Sequence, residues 1–229
     1  MPKNIGFRII QEITRAPSDL VSGFSIIPTS NISDCMNRLY CMDAGIKPYG
    51  KTQLAGTAFT IKVPASDNAM IHYALDLASP GDILVIAASG GLERALMGEI
   101  MFTYAEKRGI SGIIVDGAIR DVDCLSRLTL PVYARGVTPQ GPYKVGPGEI
   151  NVPIACAGQV VNPGDIIIGD ADGVVVIPRE LASELLPNAQ AKLAQEEKRL
   201  TGYRKGELDA EAHFSEYHEL LKKLGITVE

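Results

Sequence analysis

The sequence predicts an α/β protein, a layered β/α body with two sheets that is built as one domain. Continuous apolar runs over 83–88 and 112–115 are typical of strands covered on both faces, and segments with helical spacing lie around them. A Pro-Gly-Asp turn also recurs at 80–82 and 163–165, each time directly before an apolar strand. The length of 229 residues is enough to bury a substantial core.

The first half of the chain begins with an expected helical arm. Its apolar residues are spaced as in a helix over 4–13, and the arm is expected to occupy residues 1–20. Ser33 and Asp34 are expected to cap a short helix. The next predicted elements are a strand over 56–64, a helix over 68–78 and a strand over 83–88.

The second half begins with a glycine-punctuated stretch that turns helical and ends at Gly109. The predicted elements that follow are a strand over 112–117, a short helix over 121–128, a strand over 130–136, a loop over 136–153, three short strands within 158–178 and a long helix over 178–198. The main domain is expected over 21–200. An amphipathic, charged tail is expected over 201–229.

Composition excludes several functional classes. The net charge of −5 and the absence of Trp argue against a nucleic-acid partner, and no apolar run approaches a membrane span. The four cysteines lack C-x-x-C spacing and are interpreted as reduced thiols of a cytoplasmic protein. Neither a P-loop nor a G-x-S-x-G or H-E-x-x-H motif occurs. The histidines, His72, His213 and His218, are interpreted as structural or solvated.

The first candidate site is Arg120-Asp121, which follows the apolar strand "GIIV". Ligands of open α/β sheets bind beyond the carboxyl ends of strands. There a carboxylate is a suitable ligand for a hard cation, and a guanidinium can bind a carboxylate or polarise a carbonyl. Alternatively, Asp121 caps the helix that follows and Arg120 is solvated.

The charged neighbours of this pair receive structural interpretations. Asp116 and Gly117 are expected to shape the turn that leaves the strand, and Asp123 is expected to be a solvated residue of the next helix.

The second candidate site is the stretch "MGEIM" around Gly98. A Gly inside a helix costs roughly 1 kcal/mol against Ala, which favours a break there and a new helix from Glu99. The free N–H groups of Glu99, Ile100 and Met101 would then form an anion site at the helix N-terminus. Alternatively, one continuous helix passes through Gly98, which allows close packing.

Taken together, these motifs resemble a known enzyme family. The chain carries an acidic-x20-Arg-Asp signature, in which Glu99 is followed by twenty residues and then by Arg120-Asp121. The stretches "PGDILV", "ALMGE" and "PGDIIIGDADGVVVIP" accompany this signature. Over about residues 20–200, the chain is similar to the class II pyruvate aldolases that cleave 4-hydroxy-4-methyl-2-oxoglutarate (HMG) and 4-carboxy-4-hydroxy-2-oxoadipate (CHA). These aldolases share a fold with the RraA-like proteins, which regulate RNA degradation.

The resemblance implies a β/β/α swivelling domain, assembled as homotrimers or homohexamers with active sites between subunits. It also implies a divalent metal cation, Mg²⁺ or Mn²⁺, bound directly by Asp121 and through water by Glu99. Arg120 would contact the keto oxygen of the substrate and the enolate that forms. The backbone N–H groups of Gly98-Glu99-Ile100-Met101 would hold the pyruvyl carboxylate.

The implied reaction is retro-aldol cleavage of a small 2-keto acid to pyruvate, plus a second pyruvate from HMG or oxaloacetate from CHA. Oxaloacetate decarboxylation is an expected companion activity because it passes through the same enolate. A metal-assisted enolate needs no Schiff-base Lys, and no Lys lies near these motifs in the sequence. The proton acceptor is expected to be a water bound to the metal or to Arg120, or else Glu196 or Glu197 of a neighbouring subunit. Alternatively, these two glutamates form a solvated face.

Two hypotheses compete with catalysis. The chain could be a non-catalytic RraA-like regulator that binds an enzyme or helicase of RNA degradation, or an oligomer that has kept the fold and lost the chemistry. An inhibitor protein does not need an acidic residue twenty positions before Arg-Asp. The presence of Glu99 therefore favours the enzyme.

Overall fold

The structure, a computed structural model, describes residues 5–208 and 210–226. Residues 1–4 of the predicted arm and residues 209 and 227–229 of the predicted tail lie outside the described residues. The chain divides into two compact units between Gln190 and Ala191.

Helices occur in both units. Their bounds are α1 Ser18–Ser25, α2 Thr29–Cys35, α3 Ala69–Leu77, α4 Glu99–Lys107, α5 Ala182–Arg204 and α6 Ala210–Lys223, with 3-10 helices over Val122–Ser126 and Arg179–Leu181. Within the described ranges, no helix combines the length and the apolar character needed to cross a membrane.

The first unit is built on a nine-stranded mixed sheet and a separate hairpin. The strands are β1 Lys47–Pro48, β2 Leu54–Lys62, β3 Asp82–Ala87, β4 Ala95–Met97, β5 Gly112–Ile119, β6 Val132–Val137, β7 Glu149–Ile150, β8 Ile154–Cys156, β9 Gln159–Val161, β10 Ile166–Asp170 and β11 Gly173–Ile177. The main path runs β1-β6-β5-β3-β2-β10-β11, with β4 beside β5 and β7 beside β2. The hairpin consists of β8 and β9.

The central strands of the sheet are covered on both faces, as their continuous apolar sequences predicted. Because successive side chains of a strand point to opposite faces, Leu84 and Ile86 join a core cluster that includes residues of α3 and α4. Ile83 and Val85 join a second cluster, to which β8, β9, β10 and β11 contribute. The layered β/β/α fold class is therefore confirmed, with the sheet curled into a nearly closed barrel.

The structure contains the strands predicted over 56–64, 83–88 and 130–136 and the three strands predicted within 158–178. It also contains the helices predicted over 68–78 and 178–198. The short helix after Asp121 is a 3-10 helix. Sequence patterns missed β1, β4, β7 and β8, which have only two or three residues each. Strands this short have too little alternation to be recognised.

The prediction of a helical arm is wrong over residues 5–17, which contain no helix, and the first helix, α1, begins only at Ser18. The arm lies along β7: the Ile10 N–H donates to the Ile150 carbonyl at 3.2 Å, and the Ile150 N–H donates to the Arg8 carbonyl at 2.9 Å. The Arg8 guanidinium also pairs with Glu149. These bonds to a distant strand satisfy the backbone in an extended form, which outweighs a weak helical periodicity.

The short helix near Ser33 begins earlier than its capping signal predicted. Pro28 occupies the N-cap position of α2 and Ser33 lies inside the helix, so Ser33 does not cap it. The cap comes instead from β10, because Asp170 accepts hydrogen bonds from the Thr29 N–H at 2.9 Å and the Thr29 hydroxyl at 2.8 Å. Asp34 pairs with Arg38, one turn further on, at 2.8 Å.

The prediction that Asp116 shapes a turn is also wrong. Asp116 lies inside β5, which continues to Ile119, and it is buried. Its carboxylate accepts a hydrogen bond from Arg135 Nε at 2.7 Å and another from the Ala157 N–H at 3.0 Å. Both oxygens of the Asp116 carboxylate are therefore bonded and the Arg135 guanidinium lies beside them, which stabilises this buried side chain within the sheet.

The Asp116–Arg135 pair gives a test of the fold. Arg135→Met should lower the free energy of unfolding by about 3 kcal/mol, because it leaves a buried carboxylate without its cation. Chemical denaturation measures the loss. Arg38→Met, which removes the cation of the largely exposed pair with Asp34, should cost less than about 1 kcal/mol. Equal losses in the two variants would contradict the structural role of Asp116.

Candidate active site

The two candidate stretches meet because β4 and β5 end side by side. The strands pair in parallel, with Met97 opposite Ile119, and the Arg120 N–H donates to the Met97 carbonyl at 3.0 Å. Gly98 and Arg120 therefore leave the sheet at the same edge. The predicted break at Gly98 is confirmed, since Gly98 is the N-cap residue of α4 and follows a strand. The alternative of one continuous helix is wrong.

Gly98 is required at this edge for steric reasons. A Cβ atom at this position would lie 2.5 Å from Asp121 Oδ2 and 3.0 Å from Arg120 Cγ. Atoms cannot approach this closely without a shift of the backbone or of both side chains. The absent side chain thus allows the start of α4 to approach the Arg-Asp pair.

Asp121 connects β5 to the 3-10 helix in a left-handed backbone conformation, with φ 58° and ψ 34°. Asp tolerates this region better than most residues, although strain of order 1 kcal/mol remains. Its carboxylate makes no capping bond to the 3-10 helix, so the capping alternative is wrong. Asp121 Oδ2 instead accepts the Glu99 N–H at 3.2 Å and lies 3.5 Å from Arg120 Nε.

Two of the three N–H groups predicted to form an anion site already have partners within the chain. The Glu99 N–H donates to Asp121, as above, and the Met101 N–H donates to the Gly98 carbonyl at 3.0 Å. In the part of the chain that the structure describes, no hydrogen bond involves the Ile100 N–H. An anion at this helix end would therefore bind first to Ile100 and share the Glu99 N–H with Asp121.

The Glu99 carboxylate is held by a residue that the motifs did not indicate. Arg127, which ends the 3-10 helix, donates from Nη2 to Glu99 Oε1 at 2.9 Å. Both side chains are more than half exposed, so the pair adds little stability. Its effect is geometric, because it holds the Glu99 carboxylate beside the 3-10 helix that follows Asp121.

A cavity of about 200 Å³ opens at this edge, and five of the six predicted site residues line it. These five are Gly98, Ile100, Met101, Arg120 and Asp121. Glu99 contributes its backbone through the bond to Asp121 but does not line the cavity. The cavity is smaller than the ~300–1,000 Å³ typical of sites for drug-sized ligands, and it suits a small metabolite.

A second part of the cavity wall consists of residues that sequence reasoning did not assign to the site, including His72 and Lys144. Burial lowers the pKa of His72, and the charge of Lys144 lowers it further, so the imidazole is neutral at neutral pH. No Lys lies near the motifs in the sequence, yet the fold brings Lys144 to the same cavity. His72 was interpreted as structural or solvated; it is exposed, and it also lines the cavity.

Asn68 ties this wall to β4. Its Nδ2 donates to the Leu96 carbonyl at 2.8 Å, and its side chain is buried. Among the described residues, Asn68 Oδ1 is one of two buried side-chain atoms without a hydrogen-bond partner. Asn68, His72 and Lys144 carried no signal in the sequence, since each is an isolated polar residue distant from Arg120.

The arrangement of carboxylates limits the kind of metal that could bind. Within residues 5–208 and 210–226, no group of three or more His, Cys, Asp or Glu side chains is placed to hold a metal ion. A cation at Asp121 would therefore keep most of its water ligands. Mg²⁺ commonly binds in this way, through one or two carboxylates, and the residues present fit such an ion.

The chain is similar to a known family and to named proteins. Residues 29–176, more than half of the chain, match the RraA-like family described as Aldolase/RraA. Over 188 residues the chain is 42% identical to a protein of Halalkalibacterium halodurans that is named as a candidate 4-hydroxy-4-methyl-2-oxoglutarate aldolase. The match covers 82% of this chain and 90% of that protein.

Solved structures with the same fold include proteins named for a different activity. The chain resembles RraAS2 of Streptomyces coelicolor, described as an unusual member of the RNase ES inhibitor RraA family, with a TM-score of 0.73, 26% identity and coverage of 82% of this chain and 99% of that one. It also resembles the RNA-processing inhibitor RraA of Thermus thermophilis, with a TM-score of 0.61, 30% identity and coverage of 66% and 92%.

The steric role of Gly98 is testable. Gly98→Ala should lower the free energy of unfolding by about 1–3 kcal/mol, because the added methyl group overpacks the contact with Asp121 and Arg120. Urea denaturation measures the change. Gly202→Ala is the control, since a Cβ atom there meets its nearest side-chain atom at 3.4 Å, and this change inside α5 should raise the free energy of unfolding by about 1 kcal/mol. Should Gly98→Ala unfold like the wild type, the close approach of α4 to the Arg-Asp pair is wrong.

Proposed function

Because the chain belongs to the RraA-like family described as Aldolase/RraA, we propose that it is a divalent-metal-dependent lyase. It would cleave HMG or CHA to pyruvate plus pyruvate or oxaloacetate, and it would decarboxylate oxaloacetate through the same enolate. The observation that carries the proposal is the convergence of Gly98, Arg120 and Asp121 on one cavity, with Glu99 at its edge. The relative named for HMG cleavage supports the same reaction class.

The substrate would bind with its 2-keto acid end toward α4. Its carboxylate would accept hydrogen bonds from the N–H groups of Ile100 and Glu99, where the helix dipole favours an anion. Arg120 would donate to the keto oxygen. As the bond between C3 and C4 breaks, negative charge moves onto this oxygen, and a guanidinium fixed in advance stabilises that charge.

A divalent cation, Mg²⁺ or Mn²⁺, would be held directly by Asp121 and through water by Glu99. When bound, it supplies a Lewis acid for the developing enolate charge. Two hydrogen bonds hold the carboxylates that this role needs. The Glu99 N–H donates to Asp121 Oδ2, and Arg127 donates to the carboxylate of Glu99.

Cleavage also requires a base that takes the proton of the C4 hydroxyl group. There are three candidates for this proton acceptor. The first is a water molecule near Arg120, the second is Glu196 or Glu197 of a neighbouring subunit, and the third is His72. Glu196 and Glu197 lie on α5 in the second unit, where Glu196 pairs with Lys192 at 3.2 Å. His72 lines the cavity, and its lowered pKa leaves a ring nitrogen free to accept a proton.

We further propose a homotrimer or homohexamer with active sites between subunits. Ile100 and Tyr104 on α4 support this assembly, because they are 85% and 45% exposed and line one surface depression next to the cavity. Adjacent exposed apolar residues are suited to contact with another subunit.

The second candidate function is regulation of RNA degradation through protein contacts, and its support comes from the RraA structures with the same fold. A regulator has no use for a carboxylate and a guanidinium directed into one cavity. A coupled pyruvate assay on HMG, CHA and oxaloacetate, with and without EDTA, separates the two functions. Absence of turnover on all three substrates would favour the regulator.

The metal assignment predicts a strong effect at Asp121. Asp121→Asn should reduce pyruvate release from HMG by at least about 100-fold and weaken Mn²⁺ binding, because the neutral amide is a poor ligand for a hard cation. EDTA should abolish the wild-type activity, and added Mg²⁺ or Mn²⁺ should restore it. Asp123→Asn is the control, since Asp123 is exposed and does not line the cavity. Wild-type rates for Asp121→Asn in excess Mg²⁺ would show that Asp121 does not bind the metal.

The role of Arg120 predicts an effect on turnover. Arg120→Lys should lower kcat by about 100-fold, because the point charge of an ammonium group cannot reproduce the planar hydrogen-bonding fork of a guanidinium. Steady-state kinetics on HMG measure the change. Arg108→Lys, on the surface beyond the C-terminus of α4, should retain the wild-type kcat. An unchanged kcat for Arg120→Lys would remove Arg120 from the reaction.

A further inference from the structure

We infer that residues 7–12, the arm strand, pair in the antiparallel direction with the arm strand of a second copy of this chain. The pairing would be two-fold symmetric, with Ile10 of one copy opposite Ile10 of the other. In the homotrimer proposed above, such pairs would join two trimers into a hexamer. That step rests on the proposed assembly, whereas the pairing itself requires no catalytic activity.

One edge of the arm strand is bonded to β7 and the residue after it. The Ile150 N–H donates to the Arg8 carbonyl at 2.9 Å, and the Ile10 N–H donates to the Ile150 carbonyl at 3.2 Å. Asn151 Nδ2 donates to the Ile10 carbonyl at 2.8 Å. Arg8 and Ile10 thus direct their backbone groups toward β7, so the residues between and beside them direct theirs away from it.

The opposite edge of the arm strand is open. In the part of the chain that the structure describes, no hydrogen bond involves the backbone groups of Phe7, Ile9 or Gln11. Phe7 is 62% exposed and Ile9 is 38% exposed. An unpaired strand edge with apolar side chains is a template for another strand, and proteins that avoid such pairing place Lys or Pro along it.

Contacts at both ends order the arm strand before a second copy binds. Just before it, the Gly148 N–H donates to the Gly6 carbonyl at 2.8 Å. Beyond it, Arg15 donates from Nε and Nη2 to the two carboxylate oxygens of the buried Asp82, each at 2.8 Å. The strand is therefore held in place within one copy, which lowers the entropic cost of pairing.

The charges of the arm strand select the register of the pair. Because successive side chains of an extended strand point to opposite faces, Arg8, Ile10 and Glu12 form one row, and all three are exposed. When two arm strands run antiparallel with the Ile10 residues facing each other, Arg8 of each copy lies opposite Glu12 of the other. Opposite charges at facing positions stabilise such a pair, and like charges destabilise it.

Both charged groups are available for this contact. Arg8 pairs with Glu149 through Nε, which leaves the Nη groups of its guanidinium as donors for a second carboxylate. Within residues 5–208 and 210–226, no ion pair involves Glu12. Each copy would therefore supply the counterion for Glu12 of the other.

The same register aligns the open backbone groups. Ile9 of each copy lies opposite Gln11 of the other, so their N–H and C=O groups can exchange hydrogen bonds as in an antiparallel ladder. A contact between two such short strands alone falls below the ~1,200 Å² of most stable interfaces. The pairs between two trimers would form together, which strengthens the association without a new kind of contact.

The experiment places charges at the two-fold axis and measures the mass of the assembly by sedimentation equilibrium. Ile10→Lys and Ile10→Glu should each halve the mass, because like charges then face each other across the pair. An equimolar mixture of the two variants should recover the wild-type mass, because opposite charges then face each other. Val160→Lys, a 65% exposed position on β9, is the control and should match the wild type.

Amide hydrogen exchange of the wild type gives a readout that does not depend on how a variant folds. The N–H groups of Ile9 and Gln11 have no acceptor within the described residues, so their protection reports the pairing. Their exchange should be at least about tenfold slower in the wild type than in Ile10→Lys. The Ile10 N–H, which donates to Ile150, should be protected in both Ile10→Glu and the wild type.

The outcomes separate this inference from the proposed assembly and from the aldolase. A hexamer that falls to a trimer supports both the pairing and the homotrimer. A dimer that falls to a monomer supports the pairing and overturns the homotrimer. A wild type that is a monomer or a trimer, unprotected Ile9 and Gln11, an unchanged mass for Ile10→Lys, or a mixture that stays at half mass would each overturn the pairing, whatever the pyruvate assay shows.

Discussion

The candidate site depends on one close contact, in which the start of α4 lies against the Arg-Asp pair that follows β5. The parallel pairing of Met97 with Ile119 brings the two strand ends together. The missing side chain of Gly98 then removes the atom that would collide with Asp121 and Arg120. A helix N-terminus, a guanidinium and a carboxylate thereby share one edge of the sheet, and the proposed binding of the keto acid and of the metal depends on this contact.

The sheet behind this edge holds its strand ends in place because both of its faces are buried. Helices α3 and α4 cover one face and strands β8 to β11 cover the other, so a strand cannot shift register without moving its apolar side chains to the wrong side. Asp116 is the exception within the core, and its bonds to Arg135 and to the Ala157 N–H keep it there. This rigidity lets Asp121 hold a left-handed conformation.

Two parts of the chain form the wall of the cavity. Changes in either part can alter the function while the fold stays the same. One wall comes from Gly98, Arg120 and Asp121 and would perform chemistry common to every pyruvate-releasing substrate. The other comes from α3 and the segment after β6, which place His72 and Lys144 in the cavity. Because function belongs to such sites and not to the fold, a shared fold is compatible with both an aldolase and the RNA-processing inhibitors that the chain resembles.

Local signals in the sequence were sufficient for the α/β fold class, most of the longer strands and helices, and the Gly98 and Arg120-Asp121 candidates. Apolar runs, turns and the cost of a helical glycine act over a few residues, so they can be read along the chain. Tertiary structure decided the extended arm, the buried Asp116, the bond from Arg127 to Glu99 and the place of Lys144 in the cavity. Each of these depends on a hydrogen bond, a charge or a surface supplied by residues distant in sequence, and such a partner has no local pattern.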